Sequence, residues 1–347
     1  MTHHLHVNPN FVPGKSPVYF MDQAFTDRIF TLQGQELENA AIGLFHYQYR
    51  ENDIYRAYVD ALGVNPGAIT SIYRIPYLPI QFFKSHRVTC GRFEPEVVFE
   101  SSGTTQTVNS RHEVKEAAIY TRSFLTCFEQ FYGPVSDYVV LGLLPSYLER
   151  KSSSLVYMVQ DMIGRSGHPE SGFYLYEHEK LKDTLEALEA RGKRVLLIGV
   201  TFGLLDFAAA YQLQLSNTIV METGGMKGRR EEWTRNEVHQ YLKERLGVDV
   251  VHAEYGMTEL LSQAYSAGDG LFKTPAWMKV LVRDENDPFQ LSGSYASGVI
   301  NVIDLANIYS CAFIATEDIG RLREEGNFEV LGRLDNSALR GCSLMVS

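Results

Sequence analysis

Between residues 195 and 252 the chain alternates apolar runs with helical stretches, and few architectures accommodate that order. Val195–Val200 reads as a strand, Leu204–Leu213 as a helix and Asn217–Met221 as a second strand. Glu231–Leu246 follows with helical spacing and stops at Gly247, and Val248–His252 reads as a third strand. Crossovers of this length join parallel strands. Upstream, Asp137–Leu144 reads as a buried strand, Ser152–Ile163 as a helix, and Leu181–Ala190 as an amphipathic helix ending near Gly192. The class expected is therefore α/β, with layered parallel or mixed sheets and flanking helices.

The flanks have a different texture. Residues 1–95 are expected to be mainly helical and irregular, broken at Pro66, Pro76 and Pro79, with Ile75–Ile80 extended. Beyond Trp277, short apolar runs at Met278–Val282, Val299–Ile303, Ala312–Ala315 and Phe328–Leu331 are separated by Gly, Asn and Asp. Such spacing indicates a small antiparallel β subdomain. The division implied is 1–95, an α/β core over 96–270, and 271–347.

Composition excludes several classes. The 347 residues carry a net charge of −10, and the densest basic stretch is only Lys227-Gly228-Arg229-Arg230. A nucleic-acid binder should concentrate positive charge on one face. The N-terminus, MTHHLHVNPN, lacks a basic-then-apolar leader, and no run of about eighteen apolar residues appears. Cys90, Cys127, Cys311 and Cys342 are widely scattered, without metal-ligand spacing. Scattered cysteines are expected as reduced thiols, in a cytoplasmic protein.

In parallel sheets, ligands collect beyond the carboxyl ends of the strands. That rule selects Glu222-Thr223-Gly224-Gly225-Met226-Lys227 and Glu254-Tyr255-Gly256-Met257-Thr258-Glu259. A third stretch, Ser101-Ser102-Gly103-Thr104-Thr105-Gln106, follows the apolar Val97-Val98-Phe99. Its hydroxyls and unencumbered N–H groups suit phosphate oxygens, although an ordinary Ser/Thr-rich turn has the same composition. The helical spacing of Val114, Ala117, Ala118, Thr121, Phe124 and Phe128 suggests that this loop feeds a helix.

Four segments in order carry a resemblance. They are Ser101–Gln106, Tyr255–Glu259, Thr316-Glu317-Asp318-Ile319-Gly320 and Gly332-Arg333-Leu334-Asp335. Together they resemble the phosphate loop, Tyr-Gly-x-Thr-Glu, Thr-Gly-Asp and Gly-Arg-x-Asp hinge motifs of the adenylate-forming (acyl-AMP) ligases. With Cys342 near the end of the chain, the branch that it resembles is the acyl-protein synthetases, the long-chain-fatty-acid–luciferin-component ligases of bioluminescence-type fatty acid reductase systems. The resemblance implies the large N-terminal domain of those enzymes, with ATP and Mg²⁺ as cofactors. Ser101, Ser102, Gly103, Thr104 and Thr105 would hold the β- and γ-phosphates, and Gly224 and Gly225 would let backbone approach the adenosine. Tyr255 would offer its ring to adenine with Gly256 leaving room, Thr258 would bond the α-phosphate, and Glu259 would bind Mg²⁺. Asp318 would accept from both ribose hydroxyls, and Arg333 would hold ribose or phosphate.

The sequence departs from the family in three places. Gln106 and Glu317 stand where glycine is usual, and nothing after the hinge motif corresponds to the lysine-bearing C-terminal domain. The activity implied is ATP-dependent activation of a fatty or related apolar acid, then transfer to the Cys342 thiol, whose pKa Arg340 could lower. A partner such as an acyl reductase would receive the acyl group. A coenzyme A ligase of the phenylacetate type and a degenerate nucleotide-binding subunit are the alternatives. Cys342 as a buried thiol, His252 as a satisfied core histidine and Thr201–Phe207 as a packed core helix are the plain structural readings of those residues; the functional alternatives place His252 near the carboxylate and Thr201–Phe207 along a tunnel for the apolar acid.

Overall fold

The computed structural model describes residues 23–32, 34, 36–101, 108–145, 152–224, 233–285, 287, 289–292 and 296–334. Helices α1 (Gln23–Ile29), α2 (Glu36–Glu51) and α3 (Asp53–Ala61) lead into a short strand β1 (Leu78–Pro79) and α4 (Phe82–Ser85). A hairpin of β2 (Val97–Glu100) and β3 (Arg111–Val114) precedes α5 (Ala117–Tyr132). Then come β4 (Val139–Leu143), α6 (Ser154–Ser166), β5 (Gly172–Phe173), α7 (His178–Ala190), β6 (Val195–Val200) and α8 (Thr201–Ala210). They are followed by β7 (Thr218–Thr223), α9 (Arg235–Leu246), β8 (Val251–Tyr255) and β9 (Ala264–Ser266). The last part contains β10 (Leu271–Phe272), β11 (Met278–Arg283), β12 (Leu291–Ser292), β13 (Ser297–Asp304), β14 (Phe313–Leu322) and β15 (Phe328–Arg333).

The α/β class is what the structure has. Strands β5-β4-β6-β7-β8 pair in parallel in that order, and β9 closes the edge antiparallel to β8. Every residue of β6 is buried, the mark of a strand covered on both faces. Val195 and Leu197 pack toward Leu185, Phe207 and Leu242 of α7, α8 and α9. Leu196 and Ile198 face the opposite way, into the layer that holds Phe124 and Met158 of α5 and α6. The second sheet is β10-β15-β14-β13-β11-β12, with β1 joined in parallel to β14. The N-terminal stretch thus contributes a strand to the C-terminal sheet. No helix among the described residues is long and apolar enough to cross a membrane.

Local signals set the boundaries. Thr234 and Glu237 form a capping box, so α9 starts at Arg235 rather than Glu231, and Gly247 ends it at φ +66°. The Ser101 loop does not feed a helix directly, as the periodicity had suggested. Val114 lies in β3, opposite Val97, and the loop closes a hairpin. A four-residue strand with buried His112 and Val114 satisfies the same apolar spacing that a first helical turn would.

The two sheets meet around one carboxylate. Asp304, at the end of β13, is fully buried. Its Oδ2 accepts from the Leu261 and Ser262 N–H groups at 2.8 and 3.0 Å. Its Oδ1 accepts from Ser262 Oγ at 2.6 Å and the Ala306 N–H at 3.0 Å. Ser262 Oγ in turn accepts from Trp277 Nε1 at 3.0 Å. Removing such a carboxylate strands buried donors, at a cost of about 3–5 kcal/mol. Asp304→Ala should therefore lower the free energy of unfolding by that amount in urea titration, whereas Asp304→Asn, which keeps the volume and one acceptor, should cost less than half as much.

Candidate functional site

Strand ends position most of the residues singled out above. Tyr255 is the last residue of β8, and Gly224 directly follows β7 at φ +72°, a conformation that favours glycine. Thr223 pairs in register with Glu254, so these ends lie side by side. Thr258 and Glu259 occupy the turn after β8, which Asp304 holds one step further on.

Ser101 closes the neck of its loop. Its N–H donates to Ser110 O at 3.0 Å, and the Ser110 N–H donates back to Ser101 Oγ at 2.9 Å. The Ser110 side chain hydrogen-bonds the Glu259 carboxylate. Glu259 is buried, and burial pushes its carboxyl up, against the pull of Ser110, its own N–H, and the Arg333 and Lys84 charges. The neck of the loop and the expected Mg²⁺ ligand are therefore in contact. Ser102, Gly103, Thr104, Thr105 and Gln106 lie outside the described residues, as do Gly225, Lys227, Asp335, Arg340 and Cys342.

Tyr255 joins the two sheets. Its hydroxyl donates to Asp318 Oδ2 at 2.9 Å. Its ring packs edge-on against Phe328 at 5.5 Å and Phe272 at 5.9 Å, and those two rings stack on each other at 5.4 Å. Asp318 faces Arg333 across β14 and β15, with Arg333 Nε 3.9 Å from Asp318 Oδ1. Burial raises the Asp318 carboxyl, while the Tyr255 bond and Arg333 oppose the rise and Glu317 adds to it. Arg333 Nη2 reaches Glu317 Oε2 at 3.3 Å, and Gln81 Nε2 donates to Glu317 Oε1 at 2.6 Å. Glu317, in the place of the usual glycine, is thus the carboxylate nearest this guanidinium.

The structure brings together Ser101, Tyr255, Thr258, Glu259, Asp318 and Arg333 through this chain of contacts, with Gly224 at the neighbouring strand end. What lies over Gly256 is the Glu254 carboxyl, since a Cβ there would come within 2.4 Å of Glu254 Oε1. Among the described residues no three His, Cys, Asp or Glu side chains form a cage for a metal ion. Mg²⁺ carried by nucleotide phosphates needs fewer, one or two carboxylates being usual. Cys90, Cys127 and Cys311 are buried thiols, and burial pushes Cys311 up to about 12. His252 Nδ1 contacts Tyr132 Oη at 3.2 Å, and burial lowers its pKa. Leu204, Leu205 and Phe207 are packed in the core beneath the sheet.

Sequence reading assigned no role to His112, Glu222, Arg235 or Glu254. The two glutamates each sit at the end of an apolar strand, where a buried carboxylate is unexpected, and that was the available signal. Glu222 stays ionised. Burial raises its carboxyl, but His239, Arg235 and the Thr201 hydroxyl outweigh this and hold it below the usual range. Glu254 has only the Thr223 hydroxyl against burial and the Glu222 charge, and is pushed up to about 7. His112 Nδ1 lies 2.9 Å from Thr258 O and Nε2 lies 2.9 Å from Ser310 Oγ. A carbonyl can only accept, so Nδ1 carries the proton; burial lowers the imidazole pKa and favours the neutral ring, whose Nε2 then accepts from Ser310 Oγ.

No protein-family model matches the chain. It is 22% identical over 352 residues to the long-chain-fatty-acid–luciferin-component ligase of Vibrio harveyi, covering 93% of this chain and 90% of that one. In fold it is similar to 2-hydroxyisobutyryl-CoA ligase in an open conformation with 2-HIB-AMP and CoA (TM-score 0.64, 13% identity, 96% of this chain and 76% of that one). It is also similar to ATP-bound MatB from Rhodopseudomonas palustris (TM-score 0.52, 18% identity, 70% of this chain). The match spans about half of MatB, 49% of that chain. The fold is that of the adenylate-forming ligases.

Burial depresses the His112 imidazole from 6.5 to about 4. Between those values the folded protein binds fewer protons than the unfolded chain, so this contribution is complete above pH 6.5 and is lost as pH falls toward 4. The stability difference between the wild type and His112→Gln should therefore shrink by about 3 kcal/mol from pH 7 to pH 4. Denaturant titrations at the two pH values measure it; a pH-independent difference would mean that His112 is charged or solvated.

Proposed function

We propose that this protein activates an apolar carboxylic acid with ATP, releasing pyrophosphate and forming acyl-AMP, and then passes the acyl group to a thiol. The observation that carries the reading is the contact between strand ends of one sheet and β14–β15 of the other. Tyr255, Asp318 and Arg333 meet there, and the Glu259–Ser110–Ser101 chain leads from the same place to the Ser101–Thr105 loop. The similarity to the Vibrio harveyi ligase over 93% of this chain supports a fatty acid as the substrate.

The chemistry demands charge neutralisation and alignment. A carboxylate oxygen attacks the α-phosphorus, the bond to the pyrophosphate oxygen breaks, and two anions must approach each other. Thr258 bonds the α-phosphate, and residues Ser101 to Thr105 wrap the β- and γ-phosphates. Gly224 and Gly225 admit the adenosine, Tyr255 and Gly256 border the adenine, Asp318 takes the ribose hydroxyls, and Arg333 adds positive charge. Glu259 would hold Mg²⁺, whose positive charge would offset the negative charge of the phosphates. In the second step the Cys342 thiolate attacks the acyl carbonyl, AMP leaves, and a partner such as an acyl reductase takes the acyl group from the thioester.

Carboxylate-dependent exchange of labelled pyrophosphate into ATP should be detectable, and Asp318→Ala should reduce its kcat/KM for ATP about tenfold to a hundredfold. Absence of exchange over a broad panel of acids, with and without partner proteins, would leave a nucleotide-binding subunit without activity of its own. Labelled fatty acid should remain on the denatured protein and be lost in Cys342→Ser. Label that instead appears only in acyl-coenzyme A would assign the thiol to the coenzyme.

A further inference from the structure

Strand β15 does not keep one register against β14. Leu322, Arg321 and Gly320 pair with Phe328, Glu329 and Val330, but beyond them Ile319 and Asp318 pair with Gly332 and Arg333. Leu331 is therefore an extra residue, a β-bulge. An added residue moves every later side chain to the other face of the strand. Without it, Gly332 would stand opposite Asp318, and Arg333 opposite Glu317. With it, Arg333 shares a face with Asp318.

The bulge sits where β15 loses its other neighbour. Strand β10 pairs only with Phe328 and Glu329. At the next residue, Arg235 Nη1 donates to the Val330 carbonyl at 3.2 Å. Arg235 opens α9 and is itself fixed on two sides. Its Nε donates to Glu222 Oε1 at 3.1 Å, and its guanidinium lies 4.9 Å from the centre of the Phe272 ring. Glu222 Oε2 accepts from Thr201 Oγ1 at 2.7 Å, so the carboxylate cannot turn away without losing a second partner. A planar guanidinium held by a buried carboxylate and an aromatic face is a rigid donor.

We propose that Arg235 is a positioning residue: anchored by Glu222, it holds the Val330 carbonyl, keeps the Leu331 bulge in place and so directs Arg333 toward Asp318. The inference rests on the reading of Arg333 as a nucleotide-holding group, and the test separates the two.

Hydrogen exchange addresses the bulge without any activity. In Arg235→Met the amides from Phe328 to Arg333 should exchange about tenfold faster, with Arg235→Lys intermediate. Pyrophosphate exchange addresses the consequence. Arg235→Met should raise the KM for ATP about tenfold with the KM for the acid unchanged, and adding it to Arg333→Met should raise the ATP KM no further. Glu222→Gln keeps the shape of the anchor, should act in the same direction more weakly, and serves if the Met variant fails to fold. Unchanged exchange at β15, an equal rise in both KM values, or additivity with Arg333→Met would overturn the proposal. If the wild type shows no pyrophosphate exchange, the nucleotide reading fails, and the role of Arg235 at the bulge is decided by hydrogen exchange alone.

Discussion

Asp304 has four hydrogen-bond donors around a carboxylate that water does not reach, and those donors come from the turn after β8 as well as from its own chain neighbourhood. That turn carries Thr258 and Glu259. The parallel sheet and the antiparallel sheet could each bury apolar faces without any fixed relation to one another, because hydrophobic contact is not directional. A buried carboxylate is directional, and a displaced donor leaves it unsatisfied at high cost. Asp304 therefore fixes where the end of β8 sits against β13 and β14. His112 does the same from the hairpin side, since its neutral ring spans the Thr258 carbonyl and Ser310.

Across that fixed junction, the charges divide by the partners available to them. Glu222 and Glu254 occupy neighbouring strands and are both buried. Glu222 has a guanidinium and a hydroxyl and remains an anion, whereas Glu254 has a hydroxyl alone and titrates near 7. Arg333 is mostly exposed and lies between Glu317 and Asp318. Water screens that pair, so its attraction contributes little to stability. The arrangement fixes direction more than it adds energy.

That β4, β6, β7 and β8 are strands of a parallel sheet was legible, because fully buried strands read as continuous apolar runs and the crossovers between them carry helical spacing; their order in the sheet and the short β5 were not. The extent of β14 was less legible. Ala312–Ala315 marks only its start, and the strand runs on through Thr316–Gly320 to Leu322, with Asp318 reaching Tyr255 of the other sheet. Val114 misled for a related reason: four residues of strand and one turn of helix can place apolar groups at the same intervals. The candidate motifs were visible as hydroxyls, glycines and carboxylates in loops. The residues that hold those loops, Asp304, His112 and Arg235, belong to no local pattern, because each has a partner in a remote segment, at separations of 42, 198 and 95 positions in the chain.

The amino-acid order by itself determined the central alternation of buried strands with helices, that the central sheet is parallel, and which polar loops follow its strands. These depend on periodicity and on capping groups such as Thr234 and Gly247, which act over a few residues. Only the tertiary structure decided that Tyr255 meets Asp318, which glutamate stays charged, and that an extra residue at Leu331 turns Arg333 to its present face. Register, burial and ionisation are set by neighbours distant in sequence, and their energies exist only once those neighbours are packed together.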